Sequence, residues 1–249
     1  MKSISISRRQ IYLLWCLALF LLIVLTIQPI SYAIMRLTIG LLIIAIWLGI
    51  IYLWWRQVAL RISALASAII IAIFLLLPGR PIDVEALRVA YIDSLQIYTG
   101  TAYVWGGENR LGIDCSGLVR QGLIQANLQQ GITTFNPGLV RQSLAMWWFD
   151  LSALALRDGE HCWTQRLFRA ASINAIDRQQ LLAGDLAATV DGQHILAYIG
   201  QNQWIEADPG YHKVMVVMVP DADNFWFRVP VYVLRWHQLD RSANRHSNV

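Results

Sequence analysis

The chain has 249 residues, 56% of them hydrophobic, which exceeds the range of an ordinary soluble domain. Its formal charge is +4, yet no acidic residue precedes Asp83, so the positive excess sits beside apolar segments and argues against a nucleic-acid partner. Three cysteines are too few for a disulfide framework: Cys16 reads as a small hydrophobe buried in an apolar run, and Cys115 and Cys162 as free thiols.

Three apolar segments open the chain, at 11–30, 37–55 and 60–77. A helix needs about 20 apolar residues, and no fewer than roughly 17, to cross the hydrocarbon of a bilayer. The third segment is the shortest and needs Arg61 to reach back to the interface. Basic residues set the orientation. Lys2, Arg8 and Arg9 precede the first segment, and Arg56 and Arg61 follow the second, so both regions belong on the cytoplasmic side. Arg36 marks the opposite loop. Three crossings place the chain from about residue 80 outside the cytoplasm. Two crossings would reverse that. A cleavable leader fits poorly, because two further apolar segments follow the first.

Residues 80–249 carry all sixteen acidic and fourteen of the twenty basic residues, and have the size of one domain. Helical spacing runs from 82 to 98, with Val84, Leu87, Ala90, Tyr91 and Leu95 on one stripe, and Gly100 stops it. A Gly-rich loop, 101–112, leads to Ile113-Asp114. Asp114 is suited to cap a helix opening at Cys115. Leu118, Val119, Leu123 and Ala126 form its apolar stripe, with Arg120, Gln121 and Gln125 facing away. A cysteine in the first turn of a helix feels the positive end of the macrodipole, which favours the thiolate.

A longer stretch, 136–178, follows, with the aromatic cluster Met146-Trp147-Trp148-Phe149 in a helix. It reads as an insertion that packs on its own domain, covers Cys115 as a lid, or rests on the bilayer. His161 and Cys162 are adjacent there but lack further partners, so no metal or other cofactor is expected. Beyond Leu181 the period changes to strand: 184–190, a turn at Asp191-Gly192, then 194–199, 204–207, 213–219 and 229–236. Helices first and antiparallel strands after make an α+β pattern.

On these strands His194, Leu196 and Tyr198 share one face, and Trp204, Glu206 and Asp208 share a face of the next. Pairing of the two strands would bring His194 near Glu206. A thiol at a helix start, an imidazole on a strand and an acceptor on its neighbour form a nucleophile, a base and an orienting group. By spacing alone this pattern also fits a structural histidine and a surface carboxylate.

Tyr103-Val104-Trp105-Gly106-Gly107, then Gly112-Ile113-Asp114-Cys115-Ser116-Gly117-Leu118-Val119, resembles the NlpC family of bacterial cell-wall cysteine peptidases. Gly184-Asp185-Leu186 and His194-Ile195-Leu196-Ala197-Tyr198-Ile199-Gly200 match the family's strand pattern in the same order, and the resemblance covers about 82–219. It implies a papain-like fold and hydrolysis of peptidoglycan stem peptides, commonly between D-γ-glutamyl and a diamino acid. Cys115 takes the nucleophile's place and His194 the base's. The third position is commonly His, Asn or Gln; here it is Glu206, with Asp208 and Asp191 as substitutes. Tyr103 matches an active-site tyrosine near the oxyanion, and Asp114 and Ser116 match residues that hold polar groups of the substrate. An amidase or acyltransferase of the same fold on another, lipid-linked amide, and a non-catalytic cell-wall-binding protein, are the alternatives.

Overall fold

The computed structural model describes residues 7–240. The first three helices are α1 (Arg8–Ile27), α2 (Ala33–Leu53) and α3 (Val58–Leu76). Each is long and apolar enough to cross a membrane. They begin two to four residues before the segments read from hydropathy. The shift has local causes. Ser7 caps α1 through a reciprocal pair with Gln10, which recruits Arg8 and Arg9 into the first turn. Arg36, expected in the first loop, lies in the first turn of α2 and is fully buried. Cys16 is exposed on α1 rather than buried, since its side chain projects from the face of the helix that no described residue covers. Lys2 lies outside the described residues. Trp15 joins α1 to α2 by donating to the Ile46 carbonyl at 3.0 Å. Gly49 permits that approach, since a Cβ there would stand 2.3 Å from the indole.

Asp83 caps α4 (Val84–Gln96) by accepting from the amides of Glu85 and Ala86 at 3.1 Å. The stripe Val84, Leu87, Ala90, Tyr91 and Leu95 is buried. A two-residue hairpin, β1 (Glu108–Asn109) and β2 (Gly112–Ile113), leads into α5 (Cys115–Thr133). Then come α6 (Pro137–Trp148), α7 (Ala153–Arg157), β3 (Thr164–Ala170), β4 (Leu186–Thr189), β5 (Ile195–Gly200), β6 (Gln203–Asp208), β7 (Lys213–Met218) and β8 (Val231–Trp236). The sheet is antiparallel, in the order β3-β8-β4-β5-β6-β7.

Alternation along the strands gives the sheet two apolar faces. Ile195, Ala197, Ile205, Ala207 and Leu234 join the core with α4 and α5, whereas Leu196, Trp204, Val217 and Val233 pack beneath Ile173, Ile176 and Phe227. Each fully buried large aliphatic or aromatic side chain contributes about 1.5–3 kcal/mol. Tyr91 of α4 meets Trp236 of β8 edge to face at 6.3 Å, and the indole donates to the Tyr91 hydroxyl at 3.1 Å.

The sheet extends further back in the chain than its sequence pattern indicates. β3, within 136–178, pairs with β8 and forms an edge. Its sequence, TQRLFRA, has no clean apolar alternation because one face is only partly covered. The same stretch contributes buried Met146, Leu151 and Leu156 to the core.

Candidate active site

Asp114, in extended backbone, caps α5 and places Cys115 at the first helical position. Its Oδ1 accepts from the Gly117 amide at 2.6 Å and the Ser116 hydroxyl at 3.0 Å, and its Oδ2 accepts from the Gly106 amide at 2.8 Å. One carboxylate thus fixes both the helix start and the loop against it. Gly117 is required there: a Cβ would stand 2.3 Å from the Gly107 carbonyl oxygen. Cys115 is buried at the bottom of a cleft of about 720 Å³, and Asp114 and Ser116 line the same cleft.

His194 stands immediately before β5, tied to the turn by its amide, which donates to Thr189 Oγ1 at 3.0 Å. The β5–β6 register pairs Ala197 with Ile205 and Tyr198 with Trp204, which makes His194 and Glu206 diagonal neighbours. His194 Nε2 lies 2.7 Å from Glu206 Oε2, with both residues buried. The other oxygen of Glu206 accepts from Asn224 Nδ2 at 2.5 Å, and the Trp226 indole stacks on the imidazole at 4.2 Å and 21°. The Cys115 side chain stands close enough to the ring to raise its basicity, and its sulfur lies 4.0 Å from the carbonyl oxygen of Gln193, the residue before His194.

Burial acts to lower the basicity of His194, but the negative charge and hydrogen bonds of Cys115 and Glu206 outweigh it and raise the imidazole to about 9. These surroundings favour the protonated ring. Tyr103, in the cleft wall, is pushed above the ordinary phenol value by burial first and then by the charges of Cys115, Asp114 and Asp208. It stays a neutral O–H donor.

The other carboxylates considered for the third position are engaged elsewhere, Asp208 at the end of β6 and Asp191 in the turn after β4. Asp208 Oδ1 accepts from the amides of Gly210 and Tyr211 at 2.5 and 2.9 Å. Asp191 accepts from the Thr189 hydroxyl at 2.5 Å and the Gln193 amide at 3.1 Å, which hold its carboxyl below the usual range.

Arg120, expected on the solvent side of α5, is instead buried. It donates to Glu108 Oε1 at 2.6 Å, Asp150 Oδ1 at 3.1 Å and the carbonyls of Met146 and Phe149 at 3.0 and 2.9 Å. Arg36 shares Glu108 at 2.7 Å and approaches Asp150 at 3.6 Å. These pairings are what allow two cations to be buried. They tie α2, the loop before Cys115, and the segment following the aromatic cluster into one unit. Within that cluster Met146 is buried, Trp147 packs on the core, and Trp148 and Phe149 are exposed. His161 lies against Phe149 at 4.5 Å, and Cys162 is exposed.

The NlpC/P60 family model matches residues 100–227, just over half of the chain and the whole span from the Gly-rich loop to Trp226. The chain belongs to the NlpC/P60 family. Members of this family are cysteine peptidoglycan hydrolases, the enzyme class implied by the Asp-Cys-Ser-Gly motif. A comparison with curated proteins returned no match. Among solved structures, the peptidoglycan hydrolase RipB of Mycobacterium tuberculosis is similar at 21% identity, over 61% of this chain and 66% of its own, with a TM-score of 0.37. The NlpC/P60 domain of the peptidoglycan hydrolase SagA is similar at 24% identity, over 59% of this chain and 96% of its own, with a TM-score of 0.36. An NlpC/P60 protein of Bacillus cereus is similar at 14% identity, over 59% and 39%, with a TM-score of 0.37. The chain thus spans less than two thirds of the length of the RipB and Bacillus cereus proteins.

Two neighbours of the NlpC/P60 site escaped the sequence reading, Asn224 and Trp226. They sit after β7, Asn224 as the cap of the short helical turn Phe225–Phe227 and Trp226 within it, and reach Glu206 and His194 only through tertiary folding. The run Asn224-Phe225-Trp226-Phe227 was the available signal, an aromatic cluster behind a polar cap residue.

Proposed function

We propose that the protein is a membrane-anchored cysteine endopeptidase that hydrolyses amide bonds in peptidoglycan stem peptides, at the D-γ-glutamyl–diamino acid bond. Residues 1–79 act as the anchor and residues 80–249 as the peptidase domain, with 136–178 as an insertion that forms part of the sheet and cleft. The observation that carries this reading is the alignment of Cys115, His194 and Glu206, with the imidazole held between a helix-start thiol and a buried carboxylate.

In this mechanism the Cys115 sulfur, ionised against the protonated imidazole, attacks the scissile carbonyl carbon. The oxyanion that forms takes hydrogen bonds from the Cys115 backbone N–H and the Tyr103 hydroxyl. His194 gives its proton to the departing amine, leaving a thioester on Cys115. Water then attacks the thioester, His194 takes its proton, and the acid leaves with the thiolate restored. Glu206 keeps the imidazole oriented and stabilises its charged form. Asp114 and Ser116 sit where polar groups of the peptide would lie.

Support for the outward placement comes from the contacts of the three apolar helices. Asn109 Nδ2 donates to the Gln28 carbonyl at 2.8 Å, and Arg141 donates to the carbonyls of Leu75 and Leu77 at 2.7 Å. At the opposite ends Arg8 donates to the Leu53 carbonyl at 2.7 Å, near Arg56 and Arg61. The peptidase residues therefore meet the end of α1, the start of α2 and the end of α3, as three crossings with basic ends inside require. A reporter enzyme active only outside the cytoplasm, fused after Val249, should be active; activity only from a cytoplasmic reporter would refute the placement. For the chemistry, peptidoglycan fragments are compared by mass spectrometry after incubation with wild type and Cys115→Ala. Stem-peptide cleavage by wild type alone is expected.

A further inference from the structure

Tyr32 lines the same cleft as Cys115 and His194, although it belongs to the loop between α1 and α2. That loop is fastened to the peptidase residues along its length. The Glu108 amide donates to the Pro29 carbonyl at 2.8 Å, Ile30 pairs with Gly107, and Asn109 holds the carbonyls of Ile27 and Gln28. Arg36, one turn into α2, is fully buried on Glu108 and Asp150, and Asp150 also lines the cleft. The wall that Tyr32 forms is thus fixed in place by buried charge, not lent by a loose loop.

The same wall marks a height relative to the bilayer. Tyr32 directly precedes Ala33, the first residue of α2, and the outward apolar surface of α2 begins at Ile34, which is 67% exposed. Trp105, 78% exposed, lines the same cleft as Tyr32. An exposed tyrosine at the start of an apolar helix, with an exposed tryptophan of the Gly-rich loop on the same cleft, suits the membrane–water interface. In the anchored enzyme proposed above, a substrate seated on Cys115 would have one flank at the level of the lipid headgroups.

We propose that the loop between the first two helices is one wall of the substrate site, with Tyr32 a specificity-determining residue, and that the peptide is taken from a saccharide carried on a membrane lipid rather than from a free fragment. This rests on the hydrolase reading above and names the donor for that site. Tyr32 and Trp105 contact the part of the substrate between the lipid and the scissile bond, while Cys115 and His194 act on the peptide.

The test uses the full chain in vesicles of phosphatidylethanolamine and phosphatidylglycerol. One saccharide-linked stem peptide is supplied in two forms, soluble and joined to a lipid tail in the same vesicles. Wild type should show kcat/KM at least about tenfold higher on the lipid-borne form. Anchoring alone raises the local concentration of a lipid-borne substrate, so the deciding readout is the variant. Tyr32→Ala should raise KM for the lipid-borne form about tenfold, with a smaller change in kcat, and cut the ratio between the two substrates at least about fivefold. Trp105→Ala should act in the same direction, and guards against a folding defect in the first variant. Equal rates on both forms in wild type, or a ratio unchanged in both variants, would overturn the proposal. If neither form is cleaved in a Cys115-dependent way, the hydrolase reading fails instead. Binding of the two forms by Cys115→Ala, and by Cys115→Ala with Tyr32→Ala, then decides the donor question without turnover. Tighter binding of the lipid-borne form that needs Tyr32 supports it; indifference to Tyr32 overturns it.

Discussion

Glu206 reaches His194 diagonally across β5 and β6, and the 2.7 Å contact joins two buried side chains. A carboxylate at this place does more than orient a ring. It adds negative charge where the imidazole already faces a sulfur, so the protonated ring is stabilised from both sides.

Glu206→Gln keeps a hydrogen-bonding group but removes the charge. The account predicts a loss in kcat/KM of about 10²-fold, with KM changed little, because the charged imidazole of the transition state loses its counter-charge. Steady-state kinetics on a stem peptide measures this. A variant as fast as wild type would mean that Glu206 only fills space.

The pH profile follows from the raised imidazole. The folded value of His194, about 9, lies above the 6.5 of an ordinary histidine, so protonation favours the folded state. That stabilisation is fully present below pH 6.5 and is lost as pH rises through about 9. The alkaline limb of kcat/KM should fall over the same range, and in Glu206→Gln it should move to lower pH. Denaturant midpoints and rates between pH 6 and 10 give both readings.

Trp226 stacks on the face of the imidazole, and Asn224 holds the free oxygen of Glu206. Trp226→Ala should lower kcat about tenfold by loosening the ring, with less effect on KM. Asn224→Ala should leave a buried carboxylate oxygen short of a donor and destabilise the domain by about 1–3 kcal/mol. Thermal unfolding alongside kinetics separates the two effects.

These two residues show where sequence reading ends. The nucleophile was legible because Asp114 does a local job: it caps the helix that begins at the next residue, and neighbouring glycines record the close approach of the loop. The pairing of His194 with Glu206 needed only strand alternation plus one register. Asn224, Trp226 and the burial of Arg120 depend on which distant surfaces meet, and nothing in local spacing encodes that. β3 was missed for a related reason: an edge strand covered on part of one face has no need of alternation.

Arg36 and Arg120 share Glu108 in a buried cluster, and Arg36 carries the link from α2 to the site. Arg36→Ala leaves Glu108 with one counter-charge fewer and should cost about 3 kcal/mol. Thermal unfolding of the full chain in detergent checks this. An unchanged Tm would show the cluster to be dispensable.

The central claim, a sulfur at the start of α5 that attacks substrate with His194 as its proton partner, is tested most directly by intact-protein mass spectrometry on a rapidly quenched mixture with stem peptide. The account predicts an acyl adduct that maps to Cys115 in wild type, builds up when His194 is replaced by Ala only far more slowly, and is absent in Cys115→Ala. Hydrolysis that persists in Cys115→Ala, or an adduct carried by Cys162 instead, would contradict it.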